Sequence, residues 1–208
     1  FLAWCANTVY PQSDGATNIA AGAVLALGHD ARESDTPAPP EDTQIQQALA
    51  HIDIGNLQLD AGARTVFLAD EAMSLDVGAV GKGYAVELAA EAAEARGLDS
   101  TLLNIGGNLR AIGEKANGEG VWTVGVENPW GNDPTYIQTL ALPDGYSLIV
   151  SGDYQRYFEY EGVRYSHLID LTTGYPAQYC NSVAILAPDG SGGTGDALST
   201  ALFCLPEE

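Results

Sequence analysis

A carboxylate and a hydroxyl stand four residues apart near the end of the chain, in the stretch GTGDALSTALF. If this stretch is helical, Asp196 and Thr200 lie on one face of the helix. Together they offer hard oxygen ligands, which suit magnesium or calcium better than zinc. Asp196 also stands where a helix N-cap is expected, so a purely structural capping role is the alternative.

His167 lies in the stretch RYSHLIDLTTGYP, between strand-like residues and a turn. The ordinary pKa of histidine is near neutrality, so His167 could act as a general base. A structural role at the end of a strand is the alternative. The patterns HxxxH and HExxH do not occur in the sequence, so a zinc site built from histidines is not expected.

A glycine-rich stretch, SLDVGAVGKGYAVELAAEAAEARG at 74–97, joins a short apolar strand to an alanine-rich helix. Glycines and a lysine before a helix are typical of a phosphate-binding loop. The stretch does not fit the Walker A pattern, because Asp76 stands at the position of the first glycine and Gly83 follows Lys82 in place of Ser or Thr. The dinucleotide pattern GxGxxG is absent as well, so neither pattern explains the loop.

Two further glycine-containing turns could approach a ligand. The first, SGDYQRYFE at 151–159, follows the strand-like YSLIV; Asp153 and Arg156 could equally form a local ion pair. The second, NIGGN at 104–108, could equally be a tight hairpin.

The elements that must position these residues alternate between helices and strands. Helices are predicted at 1–10, 17–30, 43–51, 84–96 and in GDALSTALFCL. Strands are predicted in IDIGNLQLD and TVFLAD as a hairpin, and in MSLDV, STLLNI, NLRAIGE, GVWTVGVENP, TYIQTLAL, YSLIVSG, YFEYEGVRYSHLID and NSVAILAPDG. The proline-rich residues 31–44 are predicted to be a surface loop. The pattern predicts an α+β fold with mixed sheets and packed helices.

Composition narrows the class of protein. The 208 residues are enough for one domain with a buried core, and no apolar run approaches the length of a membrane span. The formal net charge of −20 argues against nucleic acid as a partner. Three cysteines without a CxxC pattern give neither a disulfide framework nor a zinc site. The chain starts at Phe1 without methionine, so we expect a single domain at 1–208 that is incomplete at both ends, with any signal peptide or lipid anchor upstream.

Taken in order, these stretches resemble one family. LDVGAVGKGYAVE, NIGGNLRAIG, SGDYQRYF, YSHLIDLTTGYP and DALSTALF are similar to the signature blocks of the FAD:protein FMN transferases, the ApbE family. The blocks span about 74–204, and the stretch 17–30 resembles the upstream segment of the family that contacts the flavin. The resemblance implies an ApbE-like α+β fold, FAD as substrate and Mg²⁺ as cofactor.

The resemblance also implies roles for individual residues. Asp76 and Lys82 correspond to positions that contact FAD, Ile169 to a backbone contact, and Thr17 and Asn18 to positions near the flavin. His167 corresponds to the proposed catalytic base. Magnesium would be held by Asp196, by Thr200 and by Ala79, whose backbone carbonyl is the oxygen that it can offer. Gly28 departs from the family, which often has a large apolar residue there, so the wall of the pocket is expected to be rearranged.

The implied reaction is Mg²⁺-dependent transfer of FMN from FAD to a threonine of an acceptor flavoprotein, with release of AMP. The alternatives are hydrolysis of FAD to FMN and AMP, and flavin binding without turnover. By resemblance the acceptor is a subunit of a sodium-pumping NADH:quinone oxidoreductase, of an Rnf-type complex, or an extracellular electron-transfer protein. The resemblance further implies the bacterial cell envelope as the location. We expect the acidic residues to lie away from the pocket, because both substrates of this reaction carry negative charge there.

Overall fold

The computed structural model describes residues 2–118 and 120–206. Within these residues the chain combines α-helices with several small antiparallel sheets, which confirms the predicted α+β class. The helices are α1 (Leu2–Gln12), α2 (Gly22–Glu33), α3 (Asp42–Leu49), α4 (Gly78–Glu94) and α5 (Gly192–Phe203). None of the helices in the described residues is long and apolar enough to span a membrane.

The strands pair mainly with their neighbours in the sequence. They are β1 (Leu57–Asp60), β2 (Thr65–Leu68), β3 (Thr101–Ile105), β4 (Asn108–Ile112), β5 (Trp122–Glu127), β6 (Tyr136–Leu142), β7 (Ser147–Gly152), β8 (Tyr157–Tyr160), β9 (Val163–Ser166), β10 (Ile169–Asp170), β11 (Tyr175–Pro176) and β12 (Ser182–Ala187). The largest sheet has the order β12-β7-β4-β3, and the other strands form two-stranded ribbons. The predicted hairpin of β1 and β2 is confirmed.

Helices α4 and α5 pack side by side on the four-stranded sheet. Small residues allow α4 to lie close to the sheet: Ala90 and Ala93 pack against Ile112 of β4. Helix α5 is tied to β7 by a hydrogen bond of 2.7 Å between the buried hydroxyls of Ser199 and Ser151. The two helices therefore have fixed positions on a common platform.

Helix α2 begins five residues later than predicted. The helix expected over 17–30 starts at Gly22, because the preceding residues make tertiary contacts instead of helical ones. The Asn18 side chain accepts a hydrogen bond from the amide of Ala20, and the amide of Gly22 donates to the carbonyl of Ser74.

The surface loop predicted over 31–44 is shorter than expected. Helix α2 continues through residues 31–33, and α3 already begins at Asp42. The start of α3 is set by a capping box, in which Glu41 and Gln44 each accept a hydrogen bond from the other's backbone amide. The sequence pattern Glu-x-x-Gln could have predicted this boundary.

Helix α4 begins at Gly78, six residues before the predicted start at Tyr84. The stretch that resembles a glycine-rich loop is therefore mostly the first turns of a helix. The prediction of a strand in MSLDV is wrong, because this stretch makes only an isolated bridge, between Ser74 and Ala21.

Helix α5 begins at Gly192, so Asp196 is the fifth residue of the helix and Ser191 occupies the N-cap position. The capping role considered for Asp196 is therefore excluded. Asp196 and Thr200 do lie four residues apart within one helix, as predicted.

Candidate active site

One cavity brings together most of the residues singled out from the sequence. It lies between α2, the start of α4, Thr200 of α5, the end of β7 and the β9–β10 connection. The predicted site residues on its lining are Thr17, Asn18, Asp76, Ala79, Lys82, His167, Ile169 and Thr200. Asp196, the remaining predicted residue, is 1% exposed and lies directly behind Lys82, to which it is hydrogen-bonded.

Helices α4 and α5 are joined by two reciprocal hydrogen bonds. The amide of Gly83 in α4 donates to Asp196 Oδ2 in α5 at 2.9 Å. The amide of Gly192 in α5 donates to Glu87 Oε1 in α4 at 3.0 Å. Each helix thus supplies a carboxylate to a backbone amide of the other, and Glu87 lies at the N-terminus of α5, where the helix dipole favours negative charge. This exchange fixes the orientation of the Asp196 carboxylate.

Glycine makes this close approach possible. A Cβ atom at Gly83 would lie 2.1 Å from the carbonyl oxygen of Gly192 and 2.8 Å from Cβ of Asp196. A Cβ atom at Gly192 would lie 2.6 Å from Glu87 Oε1. Contacts this short exclude any larger residue, so Gly83 is required by packing between the helices and not by a phosphate-binding loop.

Glu87 is the centre of a buried polar network behind the cavity. Its carboxylate accepts hydrogen bonds from Arg110 Nε at 3.1 Å and from Ser147 Oγ at 3.0 Å, besides the Gly192 amide. The Arg110 side chain is 2% exposed and also contacts Glu94 and Asp189. The network connects α4, β4, β7 and α5, so it holds the platform of the site together.

The oxygen atoms near Asp196 suit a hard cation. Thr200 Oγ1 donates to the main-chain carbonyl of Asp196 at 3.2 Å, so its lone pairs remain available. Ala79 lies on the cavity lining, and its backbone carbonyl has two lone pairs, so it can accept a partner besides an intrahelical amide. A carboxylate, a hydroxyl and a carbonyl are ligands that magnesium prefers.

The residues that are present therefore suit magnesium, although Lys82 competes with it for the Asp196 carboxylate. Lys82 Nζ lies 3.2 Å from Asp196 Oδ1, so a cation already contacts the carboxylate. Among the residues that the structure describes, no cluster of three or more His, Cys, Asp or Glu side chains could hold a metal. A site with one carboxylate and neutral oxygen ligands is consistent with that result.

His167 lies on the cavity wall, half-buried between β9 and β10. Burial, and to a smaller extent the nearby cations Arg156, Arg32 and Lys82, lower its pKa from 6.5 to about 4. Nδ1 lies 3.3 Å from the carbonyl oxygen of Arg156. A carbonyl can only accept, so the contact assigns the hydrogen to Nδ1 and leaves Nε2 as the basic nitrogen.

Asp170, the other candidate base near His167, has its oxygens committed. It accepts hydrogen bonds from the amide and the hydroxyl of Thr172 and from the hydroxyl of Tyr179, all between 2.7 and 2.9 Å. Burial alone would raise the pKa of Asp170, but these hydrogen bonds outweigh it and lower the pKa. Asp170 is therefore a weaker candidate than His167.

Thr17 and Asn18 line the cavity with their polar groups turned to protein partners. The Thr17 hydroxyl donates to the carbonyl of Ala197 at 2.9 Å, and the Asn18 amide donates to the carbonyl of Ile52 at 2.8 Å. They shape the cavity and connect it to α5. Asp76 also has a structural contact, because its Oδ1 accepts from the amide of Gly78 at 2.6 Å at the start of α4.

Two arginines on the cavity wall were not predicted. Arg32 lies in the segment interpreted as a loop, but α2 continues that far, and the spacing Leu25, His29, Arg32 is that of one helix face. Arg156 also lines the cavity, while Asp153 pairs with Arg164 at 3.3 Å and not with Arg156.

The charge of the cavity is opposite to that of the whole chain. Three of the eight Lys and Arg residues of the sequence line it, namely Arg32, Lys82 and Arg156, although the chain carries a net charge of −20. Such a concentration of cations in an acidic protein favours an anionic ligand in the cavity.

Comparison with known proteins agrees with this picture. The model of the ApbE family matches residues 2–208. A relative named FAD:protein FMN transferase from Treponema pallidum is 37% identical over 210 residues, covering 95% of this chain and 57% of the relative. One of the same name from Klebsiella pneumoniae is 31% identical and covers 100% of this chain and 62% of the relative.

Solved structures extend the similarity to three dimensions. The crystal structure of the ApbE protein from Thermotoga maritima aligns with a TM-score of 0.86 at 34% identity, over 98% of this chain and 64% of that one. The apo flavinyl transferase ApbE of Pseudomonas stutzeri aligns with a TM-score of 0.81 at 31% identity, over 100% of this chain and 62% of that one. The chain thus spans about three fifths of the length of these relatives, and it belongs to the ApbE family.

Proposed function

We propose that this chain carries the catalytic site of an FAD:protein FMN transferase, which transfers FMN from FAD to a threonine hydroxyl of an acceptor flavoprotein and releases AMP. The observation that carries the proposal is the cationic cavity, which His167, Lys82 and Thr200 line together, with Asp196 directly behind Lys82. The family membership and the names of the relatives support the same reaction.

Each residue has a role in this proposal. Lys82, Arg32 and Arg156 bind the anionic pyrophosphate of FAD. His167 Nε2 takes the proton of the threonine hydroxyl while the oxygen forms a bond to the FMN phosphorus. The bond from that phosphorus to the bridging oxygen breaks, and AMP leaves with the bridging oxygen.

Asp196, Thr200 and the carbonyl of Ala79 would hold Mg²⁺. The metal would neutralise charge on the pyrophosphate and make AMP a better leaving group. The apolar side chains of Ile169 and Leu25 would pack against the flavin or adenine, since they lie on the cavity wall.

Binding of FAD is expected to activate His167. In the ligand-free protein burial lowers the pKa of His167 to about 4, and the nearby cations make a smaller contribution. The pyrophosphate brings negative charge into contact with the same cations, so we expect it to offset their contribution and raise the pKa of His167. His167 is then neutral but more basic, as a general base near neutral pH requires.

The test is incubation of the protein with FAD, MgCl₂ and a flavin-accepting subunit of a sodium-pumping NADH:quinone oxidoreductase. Covalent flavin on the acceptor, seen by in-gel fluorescence and intact mass, supports the proposal, and an acceptor with its threonine changed to alanine is the control. Free FMN and AMP without labelled acceptor would support FAD hydrolysis instead. Unchanged FAD would overturn catalysis and leave a binding module.

The metal ligands can be tested in the same assay. Asp196→Ala removes the one charged ligand, and we expect transfer to be lost even at high magnesium. Thr200→Ala should be milder, because water can replace a neutral ligand. Equal rates for wild type and Asp196→Ala at limiting magnesium would contradict the assignment.

A further inference from the structure

Both carboxylate oxygens of Asp196 are occupied within the protein. Oδ2 accepts from the Gly83 amide at 2.9 Å, and Oδ1 contacts the ammonium group of Lys82 at 3.2 Å. Asp196 is 1% exposed, and a buried carboxylate without a counter-ion is strongly unfavourable. Lys82 therefore provides the positive charge that a metal ion would otherwise provide.

The position of Lys82 allows it to leave this contact. Its side chain is 34% exposed and lines the cavity, so the ammonium group has open space on the ligand side. Its stem passes over the β3–β4 turn, where a Cβ atom at Gly106 would lie 3.3 Å from Lys82 Cδ. A four-carbon stem has enough freedom to move the ammonium group without moving α4.

We propose that Lys82 is the internal counter-ion of Asp196 in the metal-free protein and moves to an FAD phosphate when a divalent cation binds Asp196. The inference rests on the proposed function for the identity of the second partner. Its physical reason is repulsion, because an ammonium group and a divalent cation cannot both contact one buried carboxylate oxygen at low cost.

The exchange couples the binding of metal and of FAD. Metal binding releases Lys82 and makes it available to the phosphate, and FAD binding draws Lys82 away from the carboxylate that the metal needs. Each ligand therefore increases the affinity for the other, and the coupling is reciprocal. Without Lys82 this part of the coupling disappears.

The first experiment measures Mg²⁺ binding to the FAD-free protein by isothermal titration calorimetry, for wild type, Lys82→Met and Lys115→Met. Lys115→Met is the matched control, because Lys115 is the only other lysine in the sequence and lies outside the cavity lining. We expect Lys82→Met to bind Mg²⁺ about tenfold more tightly than wild type, the low end for loss of a competing charged hydrogen bond. Lys115→Met should match wild type.

The second experiment follows Lys82 in the unmodified protein. Acetylation of lysines with a limiting reagent, read by mass spectrometry, gives the reactivity of Lys82 relative to Lys115. Mg²⁺ alone should raise the Lys82 reactivity severalfold, and Mg²⁺ with FAD should lower it again. This measurement does not depend on folding of a variant or on catalysis.

The outcomes separate the inference from the proposed function. If Lys82→Met binds Mg²⁺ no more tightly than wild type, or Mg²⁺ leaves Lys82 reactivity unchanged, Lys82 is not a competitor and the inference is wrong. Absence of Mg²⁺ binding to all three proteins also overturns it. If Lys82→Met binds Mg²⁺ more tightly than wild type, but the wild-type protein does not transfer FMN, the exchange at Asp196 is supported and the proposed reaction is refuted.

Discussion

Replacement of Glu87 by alanine gives a sharp test of the buried network. Glu87→Ala removes the acceptor of three hydrogen bonds and leaves the Arg110 guanidinium, 2% exposed, without its buried partner. Breaking a buried pair from one side costs about 3–5 kcal/mol. Arg110 keeps Asp189 and Glu94, which are 76% and 45% exposed, so we expect the low end, about 3 kcal/mol.

The assay is urea unfolding followed by circular dichroism, and the quantity compared is the free energy of unfolding. A loss of about 3 kcal/mol lowers the ratio of folded to unfolded protein more than about a hundredfold. For a chain of this size it corresponds to a fall in Tm of about 6–12 °C. The matched control is Glu91→Ala, one turn further along α4, where the side chain is exposed.

The result that would refute the reasoning is a Glu87→Ala variant within about 0.5 kcal/mol of Glu91→Ala, the usual range for surface substitutions. A double variant, Glu87→Leu with Arg110→Met, separates charge from packing. It removes both buried charges at similar volume, so we expect it to recover most of the lost stability.

Three further changes test other parts of the structure. Gly83→Ala should prevent close packing of α4 on α5 and strongly lower stability, because its Cβ would lie 2.1 Å from the Gly192 carbonyl oxygen; a thermal melt like that of wild type would contradict the contact. Gly28→Ala should instead raise the free energy of unfolding by about 0.5–1 kcal/mol, since Gly28 lies inside α2 and its Cβ would meet only Ile169 Cδ1, at 3.8 Å; urea unfolding checks this. The pKa of His167 is lower in the folded protein, about 4 against 6.5, so the unfolded chain binds more protons between these values and stability falls as pH drops through this window. His167→Gln should remove about 2 kcal/mol of the stability difference between pH 7 and pH 4.5, and an unchanged pH dependence of unfolding would show that His167 is not shielded as described.

Local patterns were enough to predict the helical spacing of Asp196 and Thr200 and the turn at NIGGN. The spacing of Asp196 and Thr200 needs only one helix turn, and the turn at NIGGN needs only two adjacent glycines with positive φ, at +58° and +92°. Both features depend on residues close in sequence, so the sequence contains all the information they require.

Features that depend on distant partners could not be predicted in this way. From the sequence alone, the glycines of α4 indicate a loop. Their packing role depends on Gly192, which contacts Gly83 but lies more than a hundred residues away in the sequence. Glu87 shares its helix spacing with Glu91 and Glu94, yet only Glu87 of the three is buried, where Arg110 Nε, Ser147 Oγ and the Gly192 amide donate to it. The place of Arg32 on the cavity wall could not be predicted, because the helix was expected to end at residue 30 and α2 continues to Glu33.

The hydrogen bonds that assemble the site join residues that are far apart along the chain. Thr17 reaches Ala197 across 180 residues, Gly83 reaches Asp196 across 113, and Glu87 meets Gly192 across 105. Contacts of such long range form late in folding, since the loops between them must close first. During synthesis the N-terminal part emerges before α5 exists, so Glu87 then lacks its contact with Gly192, and Lys82 lacks Asp196. Asp196 and Thr200 therefore take their places beside α4 only when α5 docks, and the wall of the cavity is complete only then.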